Sequence, residues 1–216
     1  MKLRFVGDIH GKSLLYYEYA EEALKNGADR VIQVGDYGVG FGQSDYWHNR
    51  ISDFHQKTPK AGFIRGNHDN PDKVKEIFGW IKDGTVENDI MYVGGAWSID
   101  HAYRTPGYDW WDTEQLSARE WETIIDIYKV TKPRIMVTHD APIDVSYEMF
   151  IKTGLAMGGR EAKQIPNETN VALQEMFEYH KPEYWIYGHW HITQKLNFRG
   201  TNFICVGQDT YEDIEL

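Results

Sequence analysis

Five short polar clusters stand directly behind short apolar runs, and that arrangement limits what this chain can fold into. Gly7-Asp8-Ile9-His10-Gly11 follows Leu3–Val6, and Gly35-Asp36-Tyr37 follows Val31–Val34. Gly66-Asn67-His68-Asp69 follows Gly62–Arg65, Thr138-His139-Asp140 follows Arg134–Val137, and Gly188-His189-Trp190-His191 follows Tyr184–Tyr187. Runs of four to five residues bounded by turn formers read as strands. Between the first three lie helical patterns: Tyr16, Tyr19, Ala20, Ala23 and Leu24 with Gly27 at the stop, then Tyr46 to Gln56. A β-α-β-α-β order argues for strands that pair in parallel. Ligands bind at the carboxyl ends of strands in such sheets, so the five clusters can converge on one place.

The rest of the chain predicts a second set of elements. Ile90–Val93 and Ala96–Ile99 read as strands around Gly94-Gly95, and an aromatic, Gly/Pro-containing loop follows from Tyr103 to Trp111. Asp112, with Gln115 three residues on, is positioned to cap a helix whose apolar face is Trp121, Ile124, Ile125 and Tyr128. Ile143 to Pro166, with Gly154, Gly158 and Gly159, reads largely as a loop bordering the site. Leu173, Met176, Phe177 and His180 mark a late helix. Ile192–Leu196 and Thr201–Val206, linked by the turn Asn197–Gly200, close the chain in strands. The expected whole is one α/β domain spanning 1–216, with two stacked sheets flanked by helices, a length one core can serve.

Composition narrows the function. With 41% hydrophobic residues the chain can bury a sizeable core, yet it has no apolar run of eighteen residues, so no membrane span is expected. Charges interrupt the opening Met1–Asp8 at once, which is unlike a signal peptide, so a cytoplasmic protein is expected. The net charge of −10 is unlike that of a protein that binds the nucleic-acid backbone, so nucleic acid is not the expected partner. An acidic protein that handles a phosphate must concentrate positive charge locally, and bound metal ions do that. The single cysteine, Cys205, sits in the apolar run Phe203–Val206 and is expected to be core.

The clusters themselves carry metal-binding chemistry. Residues two apart in an extended segment point to one side, so Asp8 and His10 can share an ion, as can His189 and His191. Oxygen donors from Asp8, Asp36 and Asn67 mixed with imidazoles from His10, His139, His189 and His191 suit Mn, Fe, Zn or Ni better than Ca or Mg. Seven side chains exceed one tetrahedral site and suit two ions that share a carboxylate.

These blocks, Asp8-Ile9-His10, Gly35-Asp36, Gly66-Asn67-His68-Asp69, His139 and Gly188-His189-Trp190-His191, resemble the calcineurin-like metallophosphoesterases. The resemblance spans residues 8 to 191. It implies a four-layer α/β/β/α sandwich of two mixed β-sheets flanked by helices, and two divalent ions, manganese foremost. One ion would be held by Asp8, His10, Asp36 and His191. The other would be held by Asp36, Asn67, His139 and His189, with Asp36 bridging. A bridging hydroxide, its pKa lowered to about 7, would attack phosphorus in line. His68 would protonate or stabilise the leaving oxygen, with Asp69 orienting His68 or capping the turn. Asp140 could steady His139, and Arg65 and Arg104 are candidates for substrate contact. Tyr103, Tyr108, Trp110 and Trp111 could stack on a base or bury their own loop. His48, His55, His101 and His180 match no motif position and are expected to be packed or solvated.

The implied substrate is a small phosphoester, a diester or monoester of the nucleotide or cyclic-nucleotide class, as in small bacterial and phage members. A protein phosphatase or nuclease of the same superfamily is the alternative, but the Asp-Arg pair of eukaryotic-type protein phosphatases is missing from Gly35–Gly40. A non-catalytic scaffold is a third reading, and such scaffolds usually lose ligands that this chain keeps.

Overall fold

The computed structural model describes residues 1–42, 45–153 and 166–216. One sheet contains β1 (Lys2–Val6), β2 (Arg30–Gln33), β3 (Ala61–Phe63) and β10 (Tyr211–Glu215), in the order β10-β1-β2-β3. β1, β2 and β3 are parallel, and β10 returns antiparallel along β1. The other sheet contains β4 (Thr85–Glu87), β5 (Ile90–Val93), β6 (Ile135–Thr138), β7 (Tyr184–Tyr187), β8 (Gln194–Phe198) and β9 (Thr201–Cys205). Its order is β4-β5-β6-β7-β9-β8, parallel at the centre and antiparallel at both edges. Both sheets are mixed, as expected.

Strand alternation builds the layers. Leu3, Phe5 and Ile32 pack against Tyr92, Ile135, Val137, Ile186 and Ile204, which fills the space between the sheets. The intervening residues face outward. Val6, Val31 and Phe63 meet Tyr16, Ala20 and Ala23 of α1 (Ser13–Lys25) and Ile51 of α2 (Asp45–Lys57). Met91, Met136, Trp185 and Phe203 meet α3 (Ala118–Thr131), α4 (Ile143–Thr153) and α5 (Glu168–Tyr179) through residues such as Trp121, Tyr128, Met149 and Phe177. This is the α/β/β/α sandwich. Cys205 is buried in its outer core. No helix among the described residues is long and apolar enough to cross a membrane.

Three local expectations need correction. Ala96–Ile99 is not a strand, because Ser98 is drawn into side-chain hydrogen bonds with Glu114 instead of a ladder. Asp112 does not cap α3. Ser117 does, through a capping box with Glu120, because the buried stripe Trp121, Ile124, Ile125, Tyr128 begins just beyond it. The first part of Ile143–Pro166 is the helix α4, whose Val145 and Met149 share one buried face at i, i+4 spacing. The three glycines of that stretch lie outside the described residues. His55, on α2, is a core residue packed among Tyr16, Tyr37 and Phe63, with Nδ1 donating to the Ala61 carbonyl at 3.1 Å.

Burial pushes the His55 imidazole down from the ordinary 6.5 to about 4, against the Ala61 hydrogen bond. Between those values the unfolded chain binds a proton that the native state refuses, so native stability falls as pH drops from 6.5 towards 4. The two values correspond to about 3 kcal/mol. In urea titrations at pH 7 and pH 4, the stability loss of the wild type is expected to exceed that of His55→Leu by about 2–3 kcal/mol. Parallel losses in both proteins would assign the acid sensitivity elsewhere.

Candidate metal centre

The five clusters do converge at the carboxyl edges of both sheets. Asp8 follows β1, Asp36 follows β2, Asn67 follows β3, His139 follows β6, and His189 and His191 follow β7. Their ligand atoms form two groups that share one residue. Asp8, His10, Asp36 and His191 make one group, and Asp36, His139 and His189 the other. Within each, one ligand atom per residue lies within 4.8 Å of all the rest.

The backbone is bent to achieve this. Among the described residues nine non-glycine positions have positive φ, and four of them are His10, Asp36, His189 and His191. Such a conformation is unfavourable for a histidine, and its concentration here marks a functional site. Asp36 Oδ1 accepts from the His68 amide at 2.7 Å and faces Nε2 of His139 at 3.2 Å. Both oxygens of Asp8 accept from the His189 amide, at 3.2 and 3.1 Å, and Nε2 of His191 stands 3.3 Å from Asp8 Oδ2. Nδ1 of His139 donates to the Val34 carbonyl at 2.8 Å, which leaves Nε2 turned towards Asp36 and, at 3.2 Å, towards Asn67 Oδ1. Nε2 of His10 and Nε2 of His191 lie 3.0 Å apart.

This donor set fits divalent ions. Two buried carboxylates, an amide oxygen and four imidazoles point lone-pair-bearing atoms at a common space. Burial pulls His139 down, but the Asp36 carboxylate overrides it by charge and hydrogen bond, and the ring is held up at about 10. Burial pushes Asp36 upward, yet the facing imidazoles, His139 first, bring it well below the ordinary carboxylate range. Asp36 and His139 are thus held as a charged pair, while burial and the neighbouring His139 push His189, in the same group, down to about 3.

The remaining candidates separate. His68 is half-buried, and Phe41 stacks on its ring at 4.6 Å between centroids. Arg104 Nη2 donates to Nε2 of His68 at 2.8 Å and pairs with Asp100 at 2.7 Å. Burial holds His68 below its ordinary value, against the pull of Asp36. Asp69 is fully buried and accepts from the amides of Tyr37, Gly38, Val39 and Gly66, so it fastens two loops together, and none of these bonds runs to His68 or to the turn that follows. Arg65 corrects an expectation. It is buried at 4% exposure, its Nε is paired with Asp83 at 2.9 Å, and Nη1 donates to the Glu114 carbonyl at 2.7 Å. Those donors are spent inside the protein and brace a loop. Asp140 is buried and accepts from the Ala141 amide, while the Val34 carbonyl is what steadies His139.

The aromatic loop divides. Tyr103 and Tyr108 are 93% and 60% exposed and so do not bury their loop, while Trp110 and Trp111 are half-buried. Sequence reasoning missed Phe41, Ser98 and Glu114. Ser98 and Glu114 belong to no motif, and only the fold brings them to Asn67.

The family model for calcineurin-like phosphoesterases matches residues 1–193. No curated protein matches the chain in sequence. Among solved structures, the chain is similar to a dimetal phosphatase from Danio rerio, with 10% identity over 97% of this chain and 88% of that one, at a TM-score of 0.56. It is also similar to GAP50, the anchor in the inner membrane complex of Plasmodium, with 10% identity over 97% of this chain and 72% of that one, at a TM-score of 0.54. The phosphopantetheinyl hydrolase of Mycobacterium tuberculosis matches with 14% identity over 96% and 90% of the two chains, at a TM-score of 0.50. At such identities these likenesses speak to the fold. The family match covers nearly the whole chain and falls on the same clusters that the fold gathers into two candidate ligand groups sharing Asp36, so the chain belongs to the calcineurin-like phosphoesterase family, divalent-metal-dependent enzymes that hydrolyse phosphoesters.

Proposed function

We propose that this chain hydrolyses small phosphoesters, of the nucleotide or cyclic-nucleotide class, at a centre of two divalent ions, manganese foremost. The observation that carries this reading is the pair of ligand groups joined through Asp36. Asp8, His10, Asp36 and His191 would hold one ion, and Asp36, Asn67, His139 and His189 the other. When bound, the ions neutralise the phosphoryl oxygens and supply an activated water as nucleophile.

The chain's own residues do the rest. Phe41 stacks on His68 and fixes its ring plane beside the pocket. Arg104 donates to Nε2 of His68, so in this geometry Nε2 is an acceptor. A phosphoryl oxygen would draw the guanidinium away, and Nε2 would then take a proton from solvent and give it to the leaving oxygen. His68 and Arg104 thus act in sequence, one on the leaving group and one on the phosphoryl charge.

The test uses metal-stripped protein with bis-p-nitrophenyl phosphate and p-nitrophenyl phosphate, adding back Mn, Ni, Zn or Mg. Diester turnover is expected to return with metal, best with Mn, and to vanish in Asn67→Ala. In His68→Ala, kcat is expected to fall by about 10²–10⁴. Turnover of the monoester alone would replace the diesterase with a phosphatase. Failure of the folded protein to bind any of the four metals would sink the dinuclear reading.

A further inference from the structure

An asparagine amide can serve a metal only one way round, with its oxygen inward. Asn67 is nearly fully buried, and nothing in its covalent structure decides which end of the amide faces the pocket. Its neighbours do. Nδ2 of Asn67 donates to Ser98 Oγ at 3.0 Å. Ser98 Oγ has a single proton and gives it to Glu114 Oε2 at 2.6 Å. Oε1 of the same carboxylate accepts from the Ser98 amide at 2.7 Å. An ionised carboxylate only accepts, so both Ser98 donors point at Glu114, and Ser98 Oγ can only accept from Asn67. The chain of donors runs one way, from amide to hydroxyl to carboxylate. Oδ1 of Asn67 is thereby left facing Nε2 of His139 at 3.2 Å, inside the group that shares Asp36.

All three residues are buried, and each link has the short length of a charge-assisted bond or a sound neutral one. The far end is braced as well. Arg65 Nη1 donates to the Glu114 main-chain carbonyl, and its Nε is held by Asp83. This explains why a charged residue is buried behind β3.

We propose that Glu114, acting through Ser98, is a positioning residue that sets the Asn67 amide with its oxygen towards the second ion. The proposal rests on the dinuclear reading above. It has a sharp consequence for an isosteric change. In Glu114→Gln, the new amide can keep its oxygen on the Ser98 N–H and present its NH₂ to Ser98 Oγ. With no carboxylate claiming its proton, the hydroxyl is free to turn that proton towards Asn67, and the Asn67 amide can then flip to present NH₂ to the ion. Glutamine therefore allows the chain to reverse, whereas Ser98→Ala only releases it.

The experiment titrates Mn²⁺ into metal-stripped wild type, Glu114→Gln, Ser98→Ala and Asn67→Ala by calorimetry, with the Asn67 side-chain ¹⁵N–¹H signals and melting temperatures read alongside. Wild type is expected to bind two ions. Glu114→Gln should keep one and bind the other roughly 10–100-fold more weakly, with a smaller loss in Ser98→Ala. The Asn67 side-chain signals should move in both variants while the metal-free melting temperatures stay within a few degrees of wild type. Two ions bound with wild-type affinity in both Glu114→Gln and Ser98→Ala, while Asn67→Ala loses one, would overturn the relay and leave the dinuclear site standing. An unaltered titration in Asn67→Ala would remove Asn67 from the ligand set and the relay with it.

Discussion

Asp36→Asn is expected to abolish turnover, by about a thousandfold or more, and to weaken both ion sites together. The substitution isolates charge from shape. Asparagine has nearly the same outline and tolerates the left-handed backbone that Asp36 adopts at φ +59°. Its oxygen can still accept from the His68 amide, as Asp36 Oδ1 does at 2.7 Å. The change removes the negative charge common to the two ligand groups and turns the second carboxylate oxygen into an NH₂ that cannot ligate. A variant lacking any other single ligand loses a donor from one group; this one loses it from both. Melting curves give the independent reading. Each ion at a hundred times its Kd raises the stability of the wild type by about 2.7 kcal/mol, so added Mn²⁺ should raise its melting point clearly. The metal-induced rise should disappear in Asp36→Asn, while the metal-free protein stays folded. Wild-type affinity for two ions in the variant would mean that Asp36 does not bridge.

The legibility of this site in the sequence follows from how local its signals are. Asp8, His10, Asp36, Asn67, His189 and His191 sit within three residues of glycines at the ends of strands, so both the residue type and its place were readable. The stripe Trp121, Ile124, Ile125, Tyr128 was readable because helical periodicity is local too. β10 was not, since only Ile214 of its five residues is buried and its identity as a strand comes from pairing with β1, more than two hundred residues away. Arg4 shows the same dependence: its Nε bonds Asp213 on β10 at 2.7 Å and its guanidinium lies over Tyr211. α4 was masked by the glycines that follow it. The start of α3 was misplaced because Asp112/Gln115 has capping-box spacing, whereas the structure caps the helix with Ser117/Glu120, next to its buried face. Arg65 invited a substrate role as a cation beside the Gly66 cluster, and its partner Asp83 is visible only once β3 and the following loop are in place. Contacts that need the third dimension, the Glu114–Ser98–Asn67 chain above all, leave no local trace.

Gly66→Ala is expected to disable the enzyme without replacing a ligand. A Cβ at position 66 would lie under 3.0 Å from Asp36 Oδ1, from the Asp36 backbone nitrogen, and, at 2.6 Å, from His139 Nε2. One of these is backbone and the others are held by the bonds to His68 N and the Val34 carbonyl, so none can swing aside freely. The loop must move, and a shift on the order of 1 Å at a reacting centre costs about 10²-fold in rate. Overpacking a tight site adds roughly 1–3 kcal/mol of destabilisation. Gly27→Ala supplies the control. Gly27, unlike Gly66, has a positive φ, at +85°, and no atom lies within 4 Å of its would-be Cβ. Alanine there should cost only the backbone strain, about 1–2 kcal/mol, and leave kcat/KM at the wild-type value. Comparing the two variants for melting temperature, Mn²⁺ affinity and diester turnover separates a glycine kept for its conformation from one kept for the space beside a catalytic carboxylate. Equal activity in both would mean that the pocket around Asp36 is looser than these distances require, and that the ligand geometry tolerates a displaced loop.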